Sequence, residues 1–342
     1  AVRSPGSTLK PAIYGLGIDA GLVARGTLME DAPQSFAGYE PDNFDDAFRG
    51  TVTVEEALQR SLNIPAMTLL DAIGPMQLFV QLRAGGVELV LPDGTAPTLA
   101  LGLGGAGTTL LDLAALYGAI SSDGTPVHPH VGDKRPASSP ILSARAASDI
   151  AAILDGMRPP KNAARGQIAY KTGTSYGHRD AWAVGFDQQH VVAVWVGRPD
   201  GTPVPQLTGW TDAAPMLFDA FARIGVVPRR APSGRRDRDA LPPPLQRFPP
   251  RPGGGAPADG SSLKFAFPLE GSVVQLTRPD GGRVPLLARI LGGAADLWLV
   301  NGRPLVGAAH RRQAQIELET GAHTLTVVTA EGDSARVQFS VE

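Results

Sequence analysis

Ser7 and Lys10, near the amino terminus, have the types and the spacing of a nucleophile and its base. Residues at positions i and i+3 of a helix share a face, with Cβ atoms about 5 to 6 Å apart, so the Lys10 amine can reach the Ser7 hydroxyl. A serine hydroxyl attacks a carbonyl group well only when a neighbour takes its proton, and a lysine can do so when its pKa is held down. The pair is therefore a candidate nucleophile and base.

A second motif, Ser61 and Asn63 separated by one residue, ends an amphipathic stretch that begins at Val54. The Ser61 hydroxyl can relay a proton to a leaving amine. The Asn63 amide has both donors and an acceptor, so it can hold Lys10 and the backbone of a peptide substrate together. We expect both side chains to lie beside the Ser7 pair.

A third motif follows an apolar run, as the end of a strand would. It consists of Lys171, Thr172, Gly173, Thr174 and Ser175. A strand edge can pair with an extended peptide, and the hydroxyls and the lysine charge are then available to a terminal carboxylate. The backbone N–H groups of Ser7 and Thr174 are predicted to form an oxyanion hole, in which loss of one donor typically costs ~10²- to 10³-fold in rate.

The elements that must position these residues are predicted to be helices around a small sheet. Apolar residues recur at helical spacing over residues 11–22, 54–62, 64–82, 109–121, 144–157 and 213–224. Short β-branched and aromatic runs predict strands at 168–174, 181–186 and 190–197. The predicted fold class is α+β, with a central antiparallel sheet flanked by helices.

A stretch rich in Pro, Gly and Arg divides the chain. Residues 228–262 hold nine Pro, five Gly and seven Arg, and this composition predicts an extended linker. Residues 1–227 before it form the predicted catalytic domain. Residues 263–342 after it contain short runs, several of them alternating between apolar and polar, with turn sequences such as Asn301-Gly302 between them. They predict a small Ig-like β-sandwich.

Composition excludes several classes of function. The 31 basic and 33 acidic residues give a net charge of −2, which supplies no field for gathering nucleic acid. The chain has no cysteine, so disulfides, thiolate catalysis and cysteine-ligated zinc are excluded. No apolar run reaches the roughly 18 residues that suggest a membrane span. We expect neither a cofactor nor a metal.

The three motifs, in this order, resemble those of the transpeptidase domain of class A penicillin-binding proteins, which are bifunctional peptidoglycan synthases. A lone Ser-x-x-Lys is not specific, since Ser261 to Lys264 matches it too. The three motifs together are more specific, because they contain two of the only five lysines in the chain, Lys10 and Lys171. The likeness extends to residues 39–45, 53–70, 100–119, 180–182 and 208–215 and covers residues 1 to about 226. Residues 242–251 and the tail, including 267–268 and 297–302, resemble the carboxy-terminal part of the 1C subgroup.

The resemblance implies that Ser7 attacks the D-Ala-D-Ala bond of a peptidoglycan stem peptide and expels the last D-Ala. The acyl group then passes to a cross-linking amine or to water. β-Lactams would mimic the dipeptide and trap Ser7. Such a protein acts in the bacterial periplasm on lipid-linked glycan strands, and by analogy its carboxy-terminal module docks a partner protein of cell-wall synthesis or a glycan.

Members of the family have a glycosyltransferase domain, a membrane anchor and the first part of the transpeptidase domain ahead of the Ser-x-x-Lys helix. Here six residues precede Ser7. In the family, strands from that part complete the central sheet beside the Lys-Thr-Gly strand. The resemblance therefore predicts a fragment of a longer, membrane-anchored protein, with an incomplete sheet and poor activity alone, and normal acylation rates would contradict this.

Two other functions stay open. A class A β-lactamase needs a glutamate, some tens of residues after Ser-x-Asn, to activate the deacylating water. Residues 91–98 contain no glutamate and Glu88 is the only one close, so rapid β-lactam hydrolysis is not expected. A non-catalytic cell-wall-binding scaffold would suit the sandwich, but it has no reason to retain all three motifs.

Two further patterns are interpreted as structural. Residues 102–107 fit Gly-x-Gly-x-x-Gly, which we interpret as a turn into a helix that Thr109 caps, with Asp112 as the acid of the capping box. His128 and His130 have no third ligand nearby, so a loop is favoured over a metal site.

His178 and Asp180, just past the third motif, raise the hypothesis of a Ser-His-Asp triad. Lys10 already supplies a base. We therefore expect Asp180 to fix a turn and Trp182 to lie in the core.

Overall fold

The computed structural model describes residues 1–36, 40–45, 47–92, 94–132, 138–161, 163, 167–229, 241–249, 263–276, 285–305, 307–308, 311–329 and 332–342. The chain divides into two compact units, one of residues 1–29 and 51–249 and the other of residues 30–50 and 250–342. Most of the predicted linker, residues 230–240 and 250–262, lies outside the described residues. The predicted domain boundaries at 227 and 262 stay predictions.

The first unit is built from helices around a small sheet. Its helices are α1 (Lys10–Asp19), α2 (Val54–Gln59), α3 (Asn63–Ile73), α4 (Pro75–Ala84), α5 (Leu110–Ser121), α6 (Ala144–Asp155), α7 (Ala214–Ile224) and the short α8 (Pro243–Gln246). Two strands that bracket residues 32–49, β1 (Leu28–Asp31) and β2 (Gly50–Thr53), pair with each other. None of the helices described here is long and apolar enough to cross a membrane.

The central sheet of the first unit is antiparallel, with strand order β3-β4-β5. Its strands are β3 (Ala169–Thr174), β4 (Asp180–Phe186) and β5 (Val191–Gly197). Every residue of β4 is buried, and the Phe186 ring meets the Tyr117 ring of α5 edge-on at 6.5 Å. Helices therefore cover the sheet, and the predicted α+β class is confirmed.

One predicted helix is wrong as a single element. The periodic stretch 64–82 is divided into α3 and α4 at Gly74, whose φ is +94°. Pro75 follows at once and begins α4, because a proline lacks the N–H that would continue the helix before it. The apolar spacing survives the break since both helices pack on the same core.

The second unit contains a five-stranded sheet of order β10-β9-β12-β13-β7 and a three-stranded sheet of order β11-β8-β6. Their strands are β6 (Lys264–Phe267), β7 (Val273–Val274), β8 (Leu286–Leu291), β9 (Leu297–Val300), β10 (Arg303–Pro304), β11 (Gln313–Ile316), β12 (Gly321–Val328) and β13 (Ser334–Val341). Buried and exposed residues alternate along β8 and β13. Their buried faces enclose Trp298, which is 1% exposed, so the prediction of a β-rich carboxy-terminal sandwich is confirmed.

Residues 30–50 belong to the second unit although they lie far from its strands in sequence. The Arg312 guanidinium lies 3.5 Å from carboxylate oxygens of Glu40 and Asp42, and it packs over the Phe48 ring at 5.4 Å. Arg311 forms a β-bridge with Ala47. This segment is therefore held in place by the carboxy-terminal strands of its own unit.

Candidate active site

Ser7 lies in a tight 3₁₀ turn, Gly6–Leu9, that leads directly into α1. The Pro5 carbonyl accepts the Thr8 backbone N–H at 3.2 Å and the Thr8 hydroxyl at 2.8 Å, which fixes the turn. Pro11 occupies the first turn of α1, where its missing N–H removes no helical hydrogen bond. The half-buried Ser7 therefore sits at the amino-terminal end of a helix, as its motif predicts.

The Lys10 side chain is fully buried, and its amine binds the second motif. It donates to the Ser61 carbonyl at 2.7 Å, the Leu62 carbonyl at 3.1 Å and Asn63 Oδ1 at 2.6 Å. These three acceptors are neutral oxygens. The structure thus joins the first two motifs through Lys10.

Ser61 has a backbone conformation that usually requires glycine. Its φ is +59°, directly after α2, and the backbone N–H groups of Ser61 and Leu62 donate to the carbonyls of Leu58 and Ala57 at 3.1 and 3.0 Å. This pattern is the Schellman ending of a helix, in which the left-handed position is most often Gly. A serine there stores strain on the order of 1 kcal/mol that a glycine would avoid.

Lys171, in β3, is the second fully buried lysine of the site. Its amine donates to the Ser61 hydroxyl at 2.8 Å and to the Thr172 carbonyl at 2.9 Å. Burial lowers the pKa of Lys171 from 10.5 to about 7, because desolvation disfavours the charged ammonium. Ser61 therefore lies between two buried amines, one of which can gain or lose a proton near neutral pH.

Two glycines let β3 pack directly against the Ser7 turn. A Cβ on Gly173 would lie 2.5 Å from the Pro5 carbonyl oxygen, and a Cβ on Gly6 would lie 2.5 Å from the Thr174 carbonyl oxygen. The Cβ on Gly6 would also lie 3.0 Å from the Thr174 nitrogen. The backbone that precedes Ser7 thus adjoins the N–H that was predicted for the oxyanion hole.

The hydroxyls of the third motif have different surroundings. Thr172 and Thr174 are half-buried on β3, whose other edge pairs with no strand among the described residues. Thr174 Oγ1 accepts the Gly209 N–H at 3.0 Å. Ser175 is buried, donates to the Asp180 carboxylate at 2.8 Å and accepts the Asp180 N–H at 2.9 Å. Ser175 thus fixes the turn from β3 to β4, and its binding of a carboxylate stays a prediction.

Comparison with protein families agrees with this arrangement. The model of the penicillin binding protein transpeptidase domain matches residues 1–218. The chain belongs to this family. The model of the Penicillin-Binding Protein C-terminus Family matches residues 252–339. The resemblance that the motifs and the tail predicted is therefore confirmed, with a 1C-type order of segments.

The curated relatives that this chain matches are penicillin-binding proteins. Penicillin-binding protein 1C of Escherichia coli (strain K12) is 44% identical over 222 residues, which cover 64% of this chain and 29% of that protein. Penicillin-binding protein 1A of Neisseria flavescens is 30% identical over 270 residues, with 68% and 33% covered. The chain thus spans about a third of the length of these relatives.

Solved structures of penicillin-binding proteins share the fold of this chain. The PonA1 protein from Mycobacterium tuberculosis in complex with penicillin V has a TM-score of 0.57 at 20% identity, with 69% of this chain and 73% of that chain covered. A ceftriaxone acyl-enzyme complex of penicillin-binding protein A from M. tuberculosis has a TM-score of 0.56 at 22% identity, with 65% and 60% covered. The predicted penicillin-binding transpeptidase fold is confirmed.

The residues beside the third motif have the structural roles that were expected. The Asp180 carboxylate also accepts the Trp195 indole N–H at 3.0 Å, and Trp182 is 1% exposed. The His178 ring nitrogen lies 2.8 Å from the Leu207 carbonyl oxygen. Asp180 therefore fixes a turn and Trp182 lies in the core of the transpeptidase, as predicted.

The glycine-rich and histidine patterns are also part of the scaffold. Thr109 caps α5 by accepting the Asp112 N–H at 3.1 Å, which confirms the predicted cap. His128 Nε2 lies 2.8 Å from the Gly85 carbonyl oxygen. The residues that the structure describes contain no group of three or more His, Asp or Glu side chains placed to hold a metal ion.

Sequence reasoning missed three contacts that fix the Ser7 turn and β3. The Trp182 indole N–H donates to the Ser4 carbonyl at 2.7 Å, and the Tyr117 hydroxyl donates to the Thr8 carbonyl at 3.0 Å. In the third contact, the Gly209 N–H donates to Thr174 Oγ1 at 3.0 Å. The first two pairs are 178 and 109 residues apart, and no periodicity relates such positions. Gly209 lies in segment 208–215, which resembles the family, but the resemblance assigned no role to this residue.

Proposed function

We propose that the chain is the catalytic part of a D-Ala-D-Ala transpeptidase of bacterial cell-wall synthesis, with Ser7 as the nucleophile. One observation carries the proposal: Ser61 lies between the buried amines of Lys10 and Lys171, and Lys10, which directly follows the turn that holds Ser7, also binds Asn63. This arrangement supplies a base, a proton relay and a charged ligand group for one reacting carbonyl.

In the proposed acylation step, Lys10 takes the proton of the Ser7 hydroxyl while Ser7 Oγ attacks the carbonyl carbon of the penultimate D-Ala. The backbone N–H groups of Ser7 and Thr174 stabilise the oxyanion. Ser61 delivers its hydroxyl proton to the leaving nitrogen as the C–N bond breaks, and it takes a proton in return from the Lys171 ammonium through the hydrogen bond that Lys171 donates to it. The products are the Ser7 ester and free D-alanine.

The remaining residues of the site would hold the substrate. Asn63 contacts the peptide backbone, and the edge of β3 pairs with the extended stem peptide. Lys171, Thr172 and Thr174 bind the terminal carboxylate. Deacylation by an amine of a second stem peptide gives a cross-link, and deacylation by water gives a trimmed peptide.

We further propose that the protein acts in the bacterial periplasm, on stem peptides of lipid-linked glycan strands that the same protein polymerises. The likeness to penicillin-binding protein 1C supports this setting. The β-rich module of the second unit would dock a partner protein of cell-wall synthesis.

Intact-mass spectrometry after incubation with a panel of penicillins and cephalosporins tests the proposal. We expect one covalent adduct per chain, because the strained lactam carbonyl takes the place of the scissile amide. The adduct should vanish in Ser7→Ala and persist in Ser261→Ala, which removes the serine of the second Ser-x-x-Lys sequence. No adduct with any reagent, for this chain and also for a longer protein that includes the preceding strands of the family, would contradict the proposal and favour the scaffold hypothesis.

The β-lactamase hypothesis is tested by following nitrocefin. A transpeptidase should release hydrolysed product slowly after one turnover. Hydrolysis at many turnovers per second would instead make the chain a hydrolase.

A further inference from the structure

A π-helical turn, Gly209–Ala213, precedes α7 and packs against β3 and β4. The Thr211 N–H donates to the Thr208 hydroxyl at 3.0 Å, and the Thr208 N–H and the Thr211 hydroxyl donate to the Asp212 carboxylate at 2.9 and 2.6 Å. Single π-helical turns are rare and are frequent at functional sites. The proposed reaction assigns no role to this turn.

Gly209 lies where a side chain does not fit. A Cβ at this position would lie 2.5 Å from the carbonyl oxygens of both Gly173 and Trp182. The missing side chain lets the turn reach the backbone of two strands at once. At this approach the Gly209 N–H donates to Thr174 Oγ1 at 3.0 Å.

The Gly209 hydrogen bond limits what the Thr174 hydroxyl can do. A threonine oxygen accepts up to two hydrogen bonds and donates one. With an acceptor position filled by Gly209, the hydroxyl has its proton left to give, and among the described residues no acceptor for that proton is found. A carboxylate is the acceptor that such a donor binds most strongly, because hydrogen bonds to charged groups are roughly twice as strong as neutral ones.

We propose that residues 208–212 are a positioning element that orients the Thr174 hydroxyl toward the carboxylate of the ligand. Thr208 and Asp212 hold the turn, Gly209 holds Thr174, and Thr174 touches the ligand. The turn thereby sets the preference of the site for ligands with a free carboxylate. This inference rests on the proposed acyl transfer at Ser7.

The experiment uses two thioester substrates that differ only in a free terminal carboxylate or its methyl ester. Rates of Ser7 acylation are measured for both, and their ratio is the carboxylate preference. We expect Asp212→Ala and Thr208→Val to lower the rate with the free acid by about tenfold or more, since a hydrogen bond to a charged group is lost or misdirected. The rate with the ester should stay within about twofold, because it offers a weaker acceptor.

Two controls separate positioning from a loss of structure. Asp212→Asn should restore most of the preference, because the amide oxygen still accepts the Thr208 N–H. Asp123→Ala removes an exposed aspartate that accepts the Thr125 N–H at 3.0 Å in a turn after α5, and it should leave both rates unchanged. Thermal melting of each variant reports its folding.

A double-mutant cycle gives the decisive result. Thr174→Val should lower the preference by about tenfold, with Lys171 and Thr172 supplying what remains. Asp212→Ala added to Thr174→Val should lower it no further, because both changes remove the same hydrogen bond to the carboxylate. Equal losses for acid and ester, or additive losses in the cycle, would overturn the inference while the proposed function stands. Absence of acylation in the unmutated chain and in a longer protein that includes the preceding strands of the family would overturn both.

Discussion

The two units of this protein bury positive charge in different ways. In the first, Lys171 is fully buried and donates to a hydroxyl and a carbonyl. In the second, the Arg312 side chain is 4% exposed and lies against two carboxylates, those of Glu40 and Asp42. The lysine has neutral neighbours and a pKa lowered to about 7, whereas the arginine has anionic partners.

This difference separates chemistry from structure. A buried cation between carboxylates keeps its charge, and breaking the pair leaves an uncompensated charge in a poorly solvated place. A buried amine among neutral acceptors is held less firmly in its charged form, so it can exchange a proton during a reaction. Burial of charge alone therefore does not indicate an active site, but the chemical type of the partners does.

Replacing Lys10 should give the largest effect. Lys10→Met removes the proposed base and the hydrogen bonds to Ser61 and Asn63. We expect the rate of acylation by a penicillin to fall by ~10³-fold, within the range for loss of a general base. The matched control is Lys264→Met, since Lys264 ends the second Ser-x-x-Lys and is exposed. Acylation rates from stopped-flow or mass spectrometry check both variants. Similar losses of rate in the two variants would show that Lys10 is not the specific base.

Replacing Arg312 should cost stability and leave the chemistry intact. Arg312→Ala leaves the carboxylates of Glu40 and Asp42 without their cationic partner and creates a cavity beside them. The free energy of unfolding should fall by roughly 3 kcal/mol, as for other broken buried pairs. Urea denaturation measures it. Adding Glu40→Gln and Asp42→Asn should recover much of the loss, and a failure to recover would show that the charges were not the cause.

The lowered pKa of Lys171 predicts a pH-dependent stability. An unfolded lysine binds a proton below pH 10.5 but the folded one only below about 7, so the penalty is fully present below pH 7 and is relieved as pH rises toward 10.5. Between pH 6 and 9 this group alone should raise the free energy of unfolding by roughly 2 to 3 kcal/mol. Lys171→Met should lack this gain. Parallel plots of the free energy of unfolding against pH for the two proteins would refute the lowered pKa of Lys171.

The smallest effect concerns the strained backbone of Ser61. Ser61→Gly and Ser61→Ala both remove the hydroxyl, so both should lower acylation by about 10²-fold. Their stabilities should differ, because glycine adopts a φ of +59° without strain and alanine does not. We expect Ser61→Gly to be more stable by about 1 kcal/mol in chemical denaturation. Equal stabilities would mean that the turn relaxes in both variants.

Much of the fold follows from local patterns in the sequence. Apolar periodicity predicts α5 and α6 within a few residues, and alternation predicts short strands in residues 263–342, where β8 and β13 lie. The site was predictable in outline because helix spacing relates Ser7 to Lys10, and a strand orders residues 171–175. These are short-range relations that helix and strand geometry impose on any chain.

The remainder depends on contacts between distant residues. Nothing local indicates that Lys171 donates to Ser61, or that Gly209 fits against Gly173. The break at Gly74 was missed because a continuous apolar stripe hides a turn between two helices on one core. The placement of residues 30–50 in the second unit was missed because their ion pairs join positions about 270 residues apart in the chain.

The membership of residues 30–50 in the second unit bears on how such proteins recombine. The transpeptidase model matches residues 1–218 as one continuous stretch, yet these residues are tied to Arg312 by Glu40 and Asp42. A carboxy-terminal module exchanged by gene fusion would therefore need to bring a matching partner for the two carboxylates. We expect chimaeras joined near residue 227 to inherit this mismatch, and chimaeras that also exchange residues 30–50 to escape it.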